Sequence, residues 1–401
     1  MATPERPPTY RSSPRRLMLV AGEPSGDVLG ARLMAALRSR DPDLEFIGVG
    51  GPGMARQGLE SLFPMSELAV MGLVEVLPRV PRLLSRLRQT AAFALAQRPA
   101  AVLTIDAPGF NFRLGRRLAG QGIPLLHYVA PTVWAWRPGR AAKIARFLDH
   151  LLVLLPFEPP YFEAVGLDCS FVGHPTVETC RTGDGAAFRR QHDIAPGVPL
   201  LAVLPGSRHS ETSRLLPVFQ ETVAQLAQRF AGLGVVVPTV STVADEVTAA
   251  LAGWQVPAVV VTEEAAKPPA LAACTAALAA SGTVVLELAL AGVPSVVAYR
   301  INPLTHWLVR RLVRVEHASL VNLVLERPAV PEFLQDDCRP ERLVPALAEI
   351  LVDEEARRTQ IEAAGEAAEK LGADGPPPSQ RAAEVILTLL DRDSPRKENI
   401  E

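Results

Sequence analysis

A chain of 401 residues exceeds what one hydrophobic core ordinarily supports, so two domains are expected. With 48% hydrophobic and 21% charged residues it is not a disordered chain, and a formal charge of −2 argues against nucleic acid as a partner, leaving only local clusters for anions. Four cysteines without CxxC spacing and seven histidines without ligand spacing point to no metal site, and a reduced, cytoplasmic setting is expected.

Residues 1–14 are polar and Pro-rich and read as a disordered lead, because the apolar run before Glu23 is too short for a signal-peptide core. Leu17–Ala21 is continuously apolar, as a strand buried on both faces must be. A Gly-Glu-Pro-Ser-Gly-Asp turn (22–27) and a helically spaced segment follow. Further strands are predicted at Phe46–Val49, Val102–Ile105, Leu125–Val129 and Leu151–Leu155, with Gly or Pro closing each. This alternation predicts a parallel α/β domain over 15–175, and a hinge is expected between Gly173 and Gly185.

The pattern then restarts. Leu200–Leu204, Val235–Val237, Ala258–Val261, Ala276–Ala279 and Ser295–Tyr299 predict a second parallel sheet, in a domain over 176–342. The apolar stretch 270–299 is long enough to span a bilayer, but Gly282, Glu287, Gly292 and Pro294 interrupt it. Strand, turn, buried helix and strand is the preferred reading. Helices are expected over 343–393, broken at Asp374–Pro378, with a disordered tail over 394–401. Two Rossmann-like domains facing across a cleft should place ligands at the carboxyl ends of their strands.

The candidate residues sit at those ends. Ser281, Gly282 and Thr283 open a helix whose backbone N–H groups and dipole suit a phosphate, and Glu287 follows as the only charge in an apolar stretch, so it should have a partner. Together they suit a nucleotide-sugar site. Gly206 and Ser207 precede Arg208, whose guanidinium can clamp diphosphate oxygens or make a surface salt bridge. Glu23, Ser25 and Asp27 put three polar groups on one turn, which suggests ligand hydroxyls; the Gly22/Gly26/Gly30 spacing is not a dinucleotide fingerprint. Asp106, at a strand tip, suits a general base or a helix cap. Trp134 and Trp136 suit sugar or acyl contacts as well as core packing. Finally, Val70, Met71, Leu73, Val76 and Leu77 precede Arg79, Arg82 and Arg86, which fall on one helical face; a bilayer surface and an ordinary amphipathic helix both fit.

These segments together resemble the lipid-A-disaccharide synthase family. The resemblance rests on Ala-Gly-Glu-Pro-Ser-Gly-Asp (21–27), Met-Gly-Leu-Val-Glu-Val-Leu (71–77) and Ile-Asp-Ala-Pro-Gly-Phe-Asn (105–111). His127–Arg137, Leu-Pro-Gly-Ser-Arg (204–208), Ala-Ser-Gly-Thr (280–283) with Glu287, and Ser-Leu-Val-Asn-Leu (319–323) complete it. It implies an α/β fold of GT-B type and an inverting glycosyltransferase with no cofactor. The implied substrates are UDP-2,3-diacylglucosamine and 2,3-diacylglucosamine 1-phosphate, which become a β-1,6 tetraacyl disaccharide 1-phosphate and UDP. Carried over by motif, Asp106 is the candidate base, Glu23 and Ser25 orient sugar hydroxyls, Arg208 meets the diphosphate, Glu287 the ribose, and Asn322 the nucleotide or phosphate. A diacylated substrate makes membrane docking the better reading of 70–86, peripheral and on the inner leaflet. The family's exchange of C-terminal segments leaves a homodimer open. Pro24 stands where Thr is more frequent, and His209-Ser210 where small residues are common. An undecaprenyl-linked N-acetylglucosaminyltransferase, a UDP-N-acetylglucosamine 2-epimerase and a non-catalytic UDP- and lipid-binding protein remain as rivals.

Overall fold

The computed structural model describes residues 15–68, 80–136, 139–179, 183–302 and 317–392. The chain forms two compact units, one of residues 1–173 with 376–401 and one of residues 174–375.

The first unit carries six parallel strands: β1 (Arg16–Ala21), β2 (Glu45–Val49), β3 (Ala101–Ile105), β4 (Leu125–Tyr128), β5 (His150–Val153) and β6 (Cys169–Phe171). Their order is β2-β1-β3-β4-β5-β6. Alternate residues of β1 enter different cores, Met18 and Val20 on one face, Leu17 and Leu19 on the other. That is why this strand carries no polar residue after Arg16. The helices that bear on the site are α1 (Pro24–Arg40), α2 (Pro52–Arg56), α3 (Val80–Gln97), α4 (Pro108–Leu118) and α5 (Gly139–Ile144). The chain order turns back beside β1, which leaves the loops after β1 and β3 adjacent and free of crossovers. Such a switch point is where open α/β sheets bind ligands.

The second unit repeats the plan with β7 (Leu200–Leu204), β8 (Gly234–Pro238), β9 (Ala258–Val261), β10 (Ala276–Ala280), β11 (Ser295–Tyr299) and β12 (Glu332–Leu334), ordered β12-β11-β10-β7-β8-β9. Its pairings are also parallel. The switch point here lies between β7 and β10. Around it stand α6 (His209–Arg229), α7 (Lys267–Ala272), α8 (Thr283–Leu290) and α9 (Leu320–Leu325); α10 (Pro340–Val352) and α11 (Glu354–Lys370) complete the unit. The 270–299 stretch is β10, a turn, α8 and β11, and no described helix is long and apolar enough to cross a membrane.

Three features differ from the sequence expectation. β6 and β12 are edge strands of three half-buried residues each, too short and too mixed to show a strand pattern. The helices expected together over 343–393 divide: α10 and α11 stay in the second unit, while helix Pro378–Arg392 belongs to the first. There Ala382, Ala383, Ile386 and Leu390 join the core that holds Leu33, Met34 and Leu37 of α1. The break at Asp374–Pro378 is where the chain returns.

Candidate active site

At the first switch point, Glu23 adopts an extended conformation as N-cap of α1, and Pro24 at the first helical position turns the chain into the helix. Gly22 is required here because a Cβ would lie 2.8 Å from that of Ala107. Ser25 Oγ donates to Asp106 Oδ2 at 3.2 Å, so two of the three residues expected to act on the acceptor meet directly. Asp106 and Ala107 are both left-handed, with φ of 50° and 42°. Non-glycine residues bear a cost of about 1 kcal/mol each in this region, and such strain persists only where the surroundings enforce it. Asn111, buried on α4, enforces it: its Nδ2 donates to the carbonyls of Ile105 at 3.1 Å and Asp106 at 2.7 Å. The result holds the Asp106 carboxylate at the strand tip, in reach of solvent and of Ser25.

Asp27 corrects the sequence reading. Its carboxylate turns inward, is 5% exposed, and accepts the N–H groups of Gly51, Gly53 and Met54 at 2.7–2.9 Å. It caps α2 from the first turn of α1, and three of its roughly four acceptor sites are taken by backbone N–H groups.

The aromatic segment is a packed structure with one open member. His127 on β4 is fully buried, its Nδ1 2.7 Å from Thr104 Oγ1, and desolvation pushes its pKa down to about 3, so the ring is neutral. Trp134 Nε1 donates to Glu158 Oε1 at 3.2 Å, and its ring meets Phe157 edge-on. Trp136 is 37% exposed. Glu158, which sequence reasoning passed over, is 3% exposed, and burial pushes its pKa up to about 7 against the hydrogen bonds from Leu155, Trp134 and Leu154. Its signal was a lone acid inside the apolar run Leu151–Phe162.

Val70, Met71, Leu73, Val76, Leu77 and Arg79 lie outside the described residues. Of the cations beyond them, Arg86 on α3 makes two bonds to the Glu67 carboxylate, at 2.8 and 2.9 Å, and lies over the Phe63 ring; Arg82 stands 3.6 Å from the same carboxylate and is exposed. Arg86 therefore ties α3 to the body of its own unit.

In the second unit, the loops after β7 and β10 border a cavity of about 300 Å³ lined by Gly206, Ser207, Arg208, Glu211, Thr239, Lys267, Ser281, Gly282, Thr283 and Glu287. Seven of the residues predicted for nucleotide binding thus meet in one place. Gly206 has φ of 110°, and a Cβ there would sit 2.5 Å from Glu211 Oε2. Glu211 organises this loop: it accepts from Ser207 N–H at 3.0 Å, from Arg208 Nη1 at 3.3 Å and from the Tyr299 hydroxyl at 3.4 Å. Arg208 thus makes the salt bridge and still faces the cavity, with its side chain 62% exposed. Glu287 has its partner: Lys267 Nζ lies 2.5 Å from Oε2. Sequence reasoning missed Lys267 because a helix and a strand separate it from Glu287.

Gly282 is the N-cap of α8 and makes no side-chain cap hydrogen bond. Ser281 Oγ donates to the Ala318 carbonyl at 2.9 Å, which anchors the turn. Asn322 is 1% exposed, and its whole amide is engaged: Nδ2 donates to Val330 O and Glu332 Oε1, and Oδ1 accepts from Ala329 and Val330. Glu332 in turn accepts the N–H groups of Ala318 and Ser319. The amide of Asn322 has no atom left for a nucleotide; it braces the segment against which Ser281 is held.

Paired parallel sheets, each with a polar loop cluster at its switch point, define the GT-B class of glycosyltransferase fold. Solved structures of that plan align over the chain at low identity: an S. aureus MnaA–UDP structure at TM-score 0.62 and 13% identity, covering 93% of this chain and 95% of that one, and Acinetobacter baumannii MurG at 0.58 and 15%, covering 94% and 100%. The family model for lipid-A-disaccharide synthetase matches residues 17–376, and the chain belongs to that family. It is 58% identical to the lipid-A-disaccharide synthase of Rhodospirillum centenum, over 94% of this chain and 96% of that protein, and 51% identical to that of Paramagnetospirillum magneticum, over 93% and 97%.

Proposed function

We propose that this glycosyltransferase joins UDP-2,3-diacylglucosamine to the 6-hydroxyl of 2,3-diacylglucosamine 1-phosphate, giving the β-1,6 tetraacyl disaccharide 1-phosphate and UDP. One observation carries the reading: Gly206–Arg208, Ser281–Thr283 and the Lys267–Glu287 pair line a single cavity at a switch point. That set answers a nucleoside diphosphate part by part. Backbone N–H groups at the start of α8 and the Arg208 guanidinium meet the diphosphate, and Glu287, held by Lys267, accepts from ribose hydroxyls.

Asp106 takes the proton of the acceptor 6-hydroxyl as that oxygen forms its bond to the anomeric carbon. The bond from that carbon to the UDP oxygen breaks in the same displacement, which inverts the configuration. Ser25 orients the Asp106 carboxylate, and Glu23 binds a sugar hydroxyl. Arg208 offsets the charge that develops on the departing diphosphate. Because both substrates carry acyl chains, the enzyme works at the inner leaflet as a peripheral protein, with the Val70–Arg79 segment and Arg82 against the bilayer.

Purified protein in non-ionic detergent, given both diacylated substrates, is expected to release UDP and form a tetraacyl disaccharide 1-phosphate seen by mass spectrometry. Turnover of plain UDP-N-acetylglucosamine with no disaccharide would overturn this in favour of an epimerase.

A further inference from the structure

Asp106, the segment 129–136 and Glu158 follow three neighbouring strands of the first unit, β3, β4 and β5. The Asp106 N–H donates to the Tyr128 carbonyl at 2.9 Å, so the segment leaving β4 starts beside it. Val129 has φ of 81°, a region that β-branched residues rarely adopt, and its N–H donates to the Leu152 carbonyl at 3.1 Å. Val133 is buried, and the Trp134 ring meets Phe157 edge-on. On this fixed segment Thr132 and Trp136 are exposed. They offer a hydroxyl and an aromatic face, the polar and apolar contacts that a sugar ring needs.

Glu158 joins this segment to the next strand tip. Its Oε2 accepts the N–H groups of Leu154 and Leu155 at 3.1 and 2.9 Å, which closes the turn after β5. Its Oε1 reaches out of that turn and accepts from the Trp134 indole at 3.2 Å. The side chain is buried, and among the described residues no cation pairs with it. A carboxyl buried without counter-charge costs stability, and an apolar side chain of its size would pack at less cost. What the apolar side chain could not do is tie the turn after β5 to the segment after β4.

We infer that Glu158 is a positioning residue for the acceptor: through Trp134 it fixes the segment that presents Thr132 and Trp136 to the acceptor sugar ring. The inference rests on the acceptor reading given above. A sugar whose 6-hydroxyl lies at Asp106 must lay its ring towards a neighbouring strand tip. One neighbour of β3 is β1, whose loop carries Glu23 and Ser25, and the other is β4, whose loop carries Thr132 and Trp136. Glu158 touches no reacting atom. Contacts to the ring are equal before and during the displacement, so they set how tightly the acceptor binds and leave the chemical step unchanged.

The test measures kcat and the KM of donor and acceptor separately, in wild type, Glu158→Gln, Trp134→Phe and the double variant E158Q/W134F. Gln keeps the size of Glu158 and an oxygen for Leu154 and Leu155, but turns an N–H towards the indole N–H. Phe keeps an aromatic ring against Phe157 and removes the donor. Each single variant should raise the acceptor KM about tenfold, the scale of one buried hydrogen bond left unmade, with kcat and donor KM unchanged. The double variant should be no worse than either, because both substitutions remove the same bond. An unchanged acceptor KM in either single variant overturns the proposal, as do additive losses in the double variant. A rise in both KM values with a fall in kcat and melting temperature also overturns it, since that marks a merely structural carboxyl. If Glu158→Gln does not fold, Trp134→Phe decides by the same split. Should the wild type make no disaccharide, the functional reading fails, and equilibrium binding of diacylglucosamine 1-phosphate without donor decides the role of Glu158. Binding about tenfold weaker in Trp134→Phe then supports it. Equal binding, or none to the wild type, refutes it.

Discussion

At the scale of single residues, the carboxylates are distinguished by what surrounds them. Asp27 and Asp106 each follow a strand, yet one is consumed by three backbone N–H groups and the other is held outward on a strained backbone by Asn111. Asp106→Asn keeps the shape and removes the proposed base, so kcat should fall about 10²–10⁴-fold. UDP affinity by calorimetry should not change, and a variant with normal turnover would end the role of Asp106. Glu158 makes a different statement. Its pKa, raised from 4.5 to about 7 by burial, means that the folded chain keeps a proton the unfolded chain has released between those values. Stability therefore falls as pH rises through this window. The buried His127 and His174, lowered to about 3 and about 4, act in the opposite sense, because their contribution is lost as pH falls below the ordinary 6.5. Thermal melts of wild type and Glu158→Gln across this range isolate the carboxyl. The wild type should lose stability relative to the variant as pH rises from about 5 to 7.5, and parallel curves would contradict the assignment.

At the scale of elements, the last helix carries more than its position in the chain suggests. Pro378–Arg392 completes the first unit's core beside α1, and Ile386 is fully buried there. Ile386→Ala should destabilise that unit by about 2–4 kcal/mol in urea, the range for a large-to-small change in a packed core. A loss under about 1 kcal/mol would mean that the helix is held only loosely. The short loops are equally determined. Gly206 has no substitute beside Glu211, and the turn at Ser281 depends on a brace running through Ala318, Glu332 and Asn322. Asn322 matters for the site at one remove, by shaping the turn.

At the scale of the whole molecule, each unit owns a switch point and a distinct chemistry. The cavity proposed for the nucleotide is lined by residues of the second unit, and the Asp106–Ser25 cluster belongs to the first. Hydrogen exchange should report this division. Bound UDP should protect amides in 204–211 and 281–287, where the loops face the cavity. Protection confined to 22–27 and 106–116 would contradict the assignment of the nucleotide to the second unit.

Much of this was legible in the residues alone. Parallel strands covered on both faces are predominantly apolar, so β7, β10 and β1 after Arg16 stand out as unbroken runs and β3 is interrupted only by Thr104, while the loops at their tips carry the glycines and polar groups. The residues after β7 and β10 were found for that reason. What stayed hidden depends on neighbours far apart in sequence. Lys267 beside Glu287 and the return of the last helix are of this kind, whereas the three-residue edge strands were too short to show a pattern. Strand identity and loop chemistry are local consequences of burial and backbone geometry, and the sequence by itself determined them. Which tips stand side by side, and whether a given acid turns to the core or to a ligand, is decided by strand order and packing, and only the tertiary structure could supply it.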